Sequence, residues 1–156
     1  MPNQATYDDA NLILRLYELR REEKLREARD WFSLNFHASS VEDMQRLAPP
    51  GGKENAYIRM VVGYWEMAAS FVTSGVLNQE LFFESSGELL FVWERVRGIV
   101  PAMREFMKNP KAFHSLEIVG NAYIKHVESQ GPEAYPAYQA MVAGIKPPSP
   151  AEGKAQ

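Results

Sequence analysis

The side chains that bind metal ions most readily are few in this chain, which has three histidines and no cysteine. His114 and His126 fall on one predicted helix, about 18 Å apart along its axis, so they cannot share one ion. His114 and Glu117 have a spacing that suits a metal, but the paired Glu-x-x-His motifs of di-iron bundles are missing. We therefore interpret all three histidines, including His37, as surface or capping residues, and we predict no metal and no cofactor.

Carboxylates are the second candidate chemistry. Glu66 is the one acidic residue in an otherwise apolar stretch over residues 55–75. It could act as a general acid or base, and Glu94 could meet it in space. Buried glutamates are uncommon unless they are paired, so we favour a buried or half-buried ion pair of Glu66 with Arg29 or Arg59. The sequence has no HExxH, phosphate-loop, GxSxG or dinucleotide motif, and we predict no catalytic residue.

Aromatic residues are the third candidate, because they could line an apolar ligand pocket. The predicted ligand-binding residues are Trp31, Tyr64, Trp65, Glu66 and Trp93. An aromatic stripe at helical spacing is more often ordinary protein core, and that alternative stays open.

A helix over residues 55–75 must position most of these side chains. Its apolar residues recur at helical spacing in two adjacent stripes, and a helix with so wide an apolar surface is buried on most sides. A narrow polar side remains, made of Arg59, Gly63, Glu66, Ser70 and Thr73. Gly75 suits the position just past the helix end, where a left-handed conformation is common. The two charged residues interrupt the apolar run, which excludes a membrane span.

The rest of the chain predicts further helices packed around the central one. Asp9 to about Leu34 has the pattern of one long helix with a charged, solvated face. Residues 78–97 form a second strongly apolar helix, in which Gly87 and the serines before it indicate a bend. We predict an all-α fold, an antiparallel helical bundle of about five to six helices with one central, mostly buried helix.

The composition indicates one globular domain. The chain has 156 residues, of which 46% are hydrophobic and 24% charged, enough for a real core. We predict a single helical bundle domain over residues 7–145, with flexible termini at 1–6 and 146–156. The N-terminus MPNQATYDDA has neither a signal-peptide nor a transit-peptide pattern, which favours a cytoplasmic protein.

Charge and cysteine content exclude several classes of protein. The formal net charge of −3 argues against a nucleic-acid binder driven by bulk charge, because such proteins are basic. The lack of cysteine excludes disulfides, Cys-ligated zinc, iron–sulfur clusters and a thiol nucleophile.

The apolar content of residues 55–75 and 78–97 exceeds what the interior of one small bundle usually accommodates. We therefore predict a homo-oligomer, most simply a homodimer, that buries part of the 81–93 surface. The alternative is that the long first helix and a helix at 111–129 cover this surface within one chain.

Three short motifs are recognisable in the sequence: Arg29-Asp30-Trp31-Phe32, the triplet Tyr64-Trp65-Glu66, and Gly75 followed by Leu77-Asn78. The segments that contain them resemble a bacterial family of uncharacterised helical proteins, classed as a domain of unknown function. The likeness covers roughly residues 10–128. It implies an all-helical fold and brings no activity, cofactor or catalytic residue. Many relatives carry a membrane helix ahead of the domain, and this sequence begins without one, which again favours the cytoplasm.

Three functions remain as hypotheses. The leading one is a non-enzymatic interaction or scaffold module that self-associates. The second is a bundle that binds a small apolar ligand. The third is a metal-dependent or acid–base enzyme that uses Glu66, Glu94 or His114. We expect no nucleic-acid partner and no membrane span.

Overall fold

A computed structural model of the protein describes residues 4–149. Within them the chain forms nine helices and no strand: α1 (Tyr7–Arg20), α2 (Glu23–Asn35), α3 (Val41–Leu47), α4 (Lys53–Thr73), α5 (Gln79–Ser85), α6 (Glu88–Val96), α7 (Val100–Met107), α8 (His114–Glu128) and α9 (Ala134–Gly144). The predicted all-α fold is confirmed, with more helices than the five to six expected. None of these helices combines the length and apolar character needed to cross a bilayer. The predicted flexibility of residues 1–3 and 150–156 lies outside the described residues.

The higher helix count arises where local side chains break the long predicted segments. The helix expected from Asp9 to Leu34 is interrupted at Arg21 and Glu22. The Glu22 carboxylate accepts hydrogen bonds from the backbone N–H groups of Lys24 and Leu25, so it caps a new helix. The segment 78–97 is likewise divided into α5 and α6 at Ser86 and Gly87, where a bend was predicted.

Helix α4 is central, as predicted for residues 55–75. It packs mainly against α2 and α8, and also against α6. Trp65, Ala68 and Ala69 in its middle have no exposed surface. Gly75 follows the helix with a φ of 81°, a left-handed conformation that glycine adopts without steric cost. Because α4 is enclosed on most sides, its narrow polar side is the surface on which a site could form.

The 81–93 surface, on which the dimer prediction rested, is covered within one chain. Phe82, Leu89, Val92 and Trp93 are each exposed by 2% or less. Helix α8 packs against both α4 and α6, as the single-chain alternative expected of the helix at 111–129, and α9, which that alternative did not include, packs against α6. Self-association therefore cannot rest on this surface, although other apolar side chains remain exposed.

A close helix crossing lies where Trp93 of α6 meets Gly120 of α8. A Cβ atom added at Gly120 would lie 2.4 Å from Cγ of Trp93. Real Cβ atoms do not approach other carbons so closely, and the Trp93 ring is locked in the core. The missing side chain at Gly120 is therefore a packing requirement.

We expect Gly120→Ala to destabilise the protein by roughly 1–3 kcal/mol, because overpacking a close crossing forces Trp93 or the α8 backbone to move. Gly63→Ala in the middle of α4 is the matched control. A Cβ there would meet nothing within 4 Å, so alanine should stabilise the helix by roughly 0.5–1 kcal/mol. Urea unfolding followed by circular dichroism measures both changes, and shifts of the same sign would contradict this account.

Candidate functional site

An apolar cleft lies between α3, α4 and α7. It has a volume of about 490 Å³ and is open to solvent. Its apolar lining comes from these helices, from the C-terminal ends of α2 and α6, and from the loops beside them: Phe36, Met44, Pro50, Ile58, Val62, Val96, Ile99, Val100, Met103, Phe106, Met107, Ala112 and Phe113. A volume of this size is typical of pockets for small organic ligands.

One face of α4 forms the floor of the cleft. The floor residues recur at intervals of three and four, which places them on one stripe of the helix. They are Asn55, Ile58, Arg59, Val62, Gly63 and Glu66. Arg59, Gly63 and Glu66 belong to the narrow polar side predicted from the sequence, so the side left uncovered by α2 and α8 is the cleft floor.

Gly63 keeps the middle of this floor open. A Cβ added there would contact no atom within 4 Å, so no close helix crossing requires glycine, in contrast to Gly120. Glycine in a helix interior is destabilising by about 0.5–1 kcal/mol relative to alanine. Its effect at this position is to leave room above the α4 backbone.

Helix α7 forms the opposite wall and carries the apolar rim. It is attached through Val100, which is buried, while Phe106 and Met107 are exposed by 59% and 47%. Both side chains line the cleft. An apolar rim of this kind is available to contact a bound molecule without any rearrangement of the core.

The α7–α8 connection contains two residues in a conformation that is rare for side-chain-bearing residues. Lys108 has φ 55° and Phe113 has φ 61°, in the left-handed region that is unusual for an aromatic residue. Phe113 lies directly before α8, lines the cleft, and provides no side-chain cap for that helix. The exposed N–H groups of α8 must therefore find an acceptor elsewhere.

Glu66 of α4 supplies that acceptor. One carboxylate oxygen accepts from the Ser115 N–H at 3.1 Å and the other from the Leu116 N–H at 2.7 Å. These are the second and third residues of α8, where a negative charge also interacts favourably with the helix dipole. Glu66 thus joins the cleft floor to the start of α8.

The predicted ion pair of Glu66 with Arg29 or Arg59 is wrong. Arg29 donates from Nε to both carboxylate oxygens of Glu88 at 2.9 and 3.0 Å. Arg59 donates from Nε to Asn55 Oδ1 at 3.1 Å. Backbone N–H groups compete successfully for Glu66 because α4 and α8 bring them into direct contact, a juxtaposition that sequence spacing does not reveal.

Among the predicted ligand-binding residues, only Glu66 borders the cleft. Trp65 and Trp93 are buried in the core, and Trp93 donates from Nε1 to Asn121. The Tyr64 hydroxyl donates to the Leu16 carbonyl. Trp31 is partly buried, with its ring 6.0 Å from that of Tyr57.

Sequence reasoning missed Gly63, Phe106, Met107 and Asn55 as cleft residues. A signal existed for Gly63, which is a glycine inside the most apolar helical run of the sequence, where glycine lowers helix stability. For the α7 residues there was none, since an exposed Phe or Met in a short amphipathic helix is indistinguishable from a core residue in sequence.

Glu94 and His114 are the two other titratable residues considered for catalysis, and each lies in a polar environment. Glu94 accepts from the Tyr135 hydroxyl and pairs with Arg97 at 3.2 Å. Burial and, next, the hydrogen bond to Glu94 raise the pKa of Tyr135 to about 12, so this hydroxyl keeps its proton. His114 is exposed at the first position of α8. Across residues 4–149, no group of three or more His, Asp or Glu side chains is arranged to hold a metal.

Comparison with known proteins identifies a family match. A family model described as a domain of unknown function (DUF4760) matches residues 5–123, which include every residue that lines the cleft. No curated protein and no solved structure is significantly similar to the chain. The match confirms the resemblance to a domain of unknown function that the sequence motifs suggested.

Removal of the Glu66 carboxylate should loosen the start of α8. We expect Glu66→Ala to lower the free energy of unfolding by roughly 1–2 kcal/mol, because two backbone donors lose their acceptor. The free energy of unfolding of Glu66→Gln should lie between those of the wild type and Glu66→Ala, since an amide oxygen still accepts a hydrogen bond but carries no charge. Amide hydrogen exchange at Ser115 and Leu116 should accelerate in parallel.

Glu18→Ala, at an exposed position of α1, serves as the control and should change stability by less than about 0.5 kcal/mol. If Glu66→Ala behaves like this control and leaves exchange at Ser115 and Leu116 unchanged, the capping role is refuted.

Proposed function

The chain belongs to the DUF4760 family, and we propose that it is a helical bundle that binds a small apolar ligand in the α3–α4–α7 cleft. The observation that carries this proposal is the cleft itself: about 490 Å³, lined mainly by apolar side chains and open to solvent. Water in such a space gains few hydrogen bonds, so an apolar molecule that displaces it is favoured.

The distribution of local strain supports the same function. Gly63 lowers helix stability yet relieves no clash, and Phe113 holds a left-handed backbone conformation at the cleft wall. Costs of this kind, each on the order of 1 kcal/mol, concentrate at functional sites. Both residues line the cleft, and both contribute to its open shape.

A ligand in the α3–α4–α7 cleft would not contact the aromatic residues that the sequence analysis predicted to bind it. Trp65 and Trp93 act as core residues in the geometry described above, while Glu66 stays a proposed ligand neighbour at the cleft floor. The domain extent of residues 7–145 and the cytoplasmic location also stay proposals.

A substitution at Gly63 tests ligand binding with little risk to the fold. We expect the wild-type protein to bind the neutral probes N-phenyl-1-naphthylamine and decanol. Gly63→Leu should weaken both by at least about tenfold, because the added side chain fills the cleft floor. Gly63→Ala is the matched control, with a better helix former and most of the space retained.

Probe fluorescence and isothermal titration calorimetry provide the dissociation constants. Lack of binding by the wild-type protein would refute the proposed function, and so would equal binding by wild type and Gly63→Leu.

Self-association is the second function we propose, because α1 carries an exposed apolar stripe. Tyr7, Leu14 and Tyr17 are exposed by 80%, 59% and 51%, and their spacing places them on one side of the helix. This stripe replaces the 81–93 surface as the candidate interface between two copies of the chain.

Sedimentation velocity at micromolar concentration tests this interface. If the stripe mediates dimerisation, the wild-type protein should sediment as a dimer and Leu14→Glu as a monomer, because a buried unpaired charge is costly. A monomeric wild-type protein would remove the hypothesis.

A further inference from the structure

We propose that the natural ligand of the cleft is an amphiphile with an apolar body and a single carboxylate, and that Arg59 binds the carboxylate. This inference rests on the proposed function and specifies its ligand class. It follows from the charges that line the cleft, from how each is already satisfied, and from their order along α4.

Two charged residues line the cleft, Arg59 and Glu66. The Glu66 carboxylate is occupied, since each of its oxygens accepts a backbone N–H of α8. Its negative charge is therefore partly compensated by the positive end of the α8 dipole. Arg59 is the charged group of the cleft that remains available to a ligand.

Arg59 differs from Arg29 and Arg104, which form ion pairs with Glu88 and Glu117. Within residues 4–149 no carboxylate lies at ion-pair distance from Arg59. Its guanidinium donates a hydrogen bond to the neutral side chain of Asn55. A guanidinium has five N–H donors in a planar fork, so four of them remain after this bond, with a geometry that suits a carboxylate.

Asn55 orients the guanidinium. Its Oδ1 accepts from Arg59 Nε at 3.1 Å, while its Nδ2 donates to the Ala48 carbonyl over a longer distance of 3.5 Å. Ala48 is the residue that ends α3 and is itself buried. The hydrogen bonds thus link Arg59 to the end of a neighbouring helix, which reduces the entropy lost when it binds a ligand.

The order of residues along α4 sets the direction of the ligand. Arg59, Gly63 and Glu66 succeed one another on the cleft floor, and the two charged residues lie about 10 Å apart along the helix axis. A carboxylate is attracted to Arg59 and repelled by Glu66. The apolar body must then extend over Gly63 toward Phe113 and the α7 rim.

The single available cation favours a monoanion. A phosphate monoester would bring a second negative charge into an apolar space that already contains Glu66, with no further cation in the lining to balance it. A carboxylate on a flexible apolar chain satisfies the one donor group and fills the remaining volume.

Calorimetric titration of decanoate and decanol separates the headgroup from the apolar body. These molecules have the same chain, and at neutral pH decanoate carries one negative charge. We expect the wild-type protein to bind decanoate at least about tenfold more tightly than decanol. Arg59→Gln should remove this preference and leave decanol binding unchanged, while Arg59→Lys should retain part of it.

Arg26→Gln is the matched control, because it makes the same change of net charge at an exposed residue of α2 that does not line the cleft. It should leave both dissociation constants unchanged. Raised salt concentration should weaken decanoate binding and not decanol binding.

The outcomes distinguish this inference from the proposed function. If decanoate and decanol bind equally and Arg59→Gln changes neither, the ligand class is wrong while the cleft still binds apolar molecules. If neither binds, the proposed function itself fails. If Gly63→Leu converts a dimeric wild-type protein to a monomer, a second copy of the chain occupies the cleft, and the small-ligand inference is overturned.

Discussion

The enclosure of α4 is the constraint on which the rest of the structure depends. Helices α2, α8 and α6 cover it on most sides, and Trp65 in its middle has no exposed surface. Burial of so many apolar side chains is the main source of stability in a domain of this size. Because the covering helices leave one stripe of α4 uncovered, the only position for a cleft on this helix is along that stripe, and α7 limits it on the other side.

Polar side chains from distant parts of the chain hold the helix ends around this core. Glu66 caps the start of α8, and Asp9 accepts from the backbone N–H groups of Thr6 and Asn78, which lower the pKa of its carboxyl. Arg95 is buried and donates to carbonyls at the ends of α2 and α9: Phe36, Val142 and Ile145. Burial lowers the pKa of its guanidinium, while the negative ends of two helix dipoles stabilise its charge. These contacts fix how the short helices are oriented.

The two glycines in the middle of long helices show how differently the core and the cleft use the same residue. At Gly120 the missing Cβ lets Trp93 of α6 pack against the α8 backbone, and this contact contributes to the core. At Gly63 the missing Cβ leaves open space, and the helix gains no contact in return. A residue that lowers helix stability and relieves no clash is typical of a functional site. The left-handed Phe113 at the same cleft belongs to this second class.

The sequence alone determined the all-α class, the central place of residues 55–75, the left-handed Gly75 and the narrow polar side of α4, because helical periodicity and glycine conformation are local properties. It did not predict the helix break at Glu22 and indicated only a bend at Gly87, since a charged residue or a glycine is also tolerated within a helix. Tertiary structure decided which residues meet. The Glu66 carboxylate binds the N-terminus of α8 and no arginine. The 81–93 surface is covered by other helices of the same chain, and α7 lies opposite α4 to form the cleft. Those outcomes depend on how helices separated by fifty residues pack together, and the spacing of residues along one helix carries no information about its neighbours.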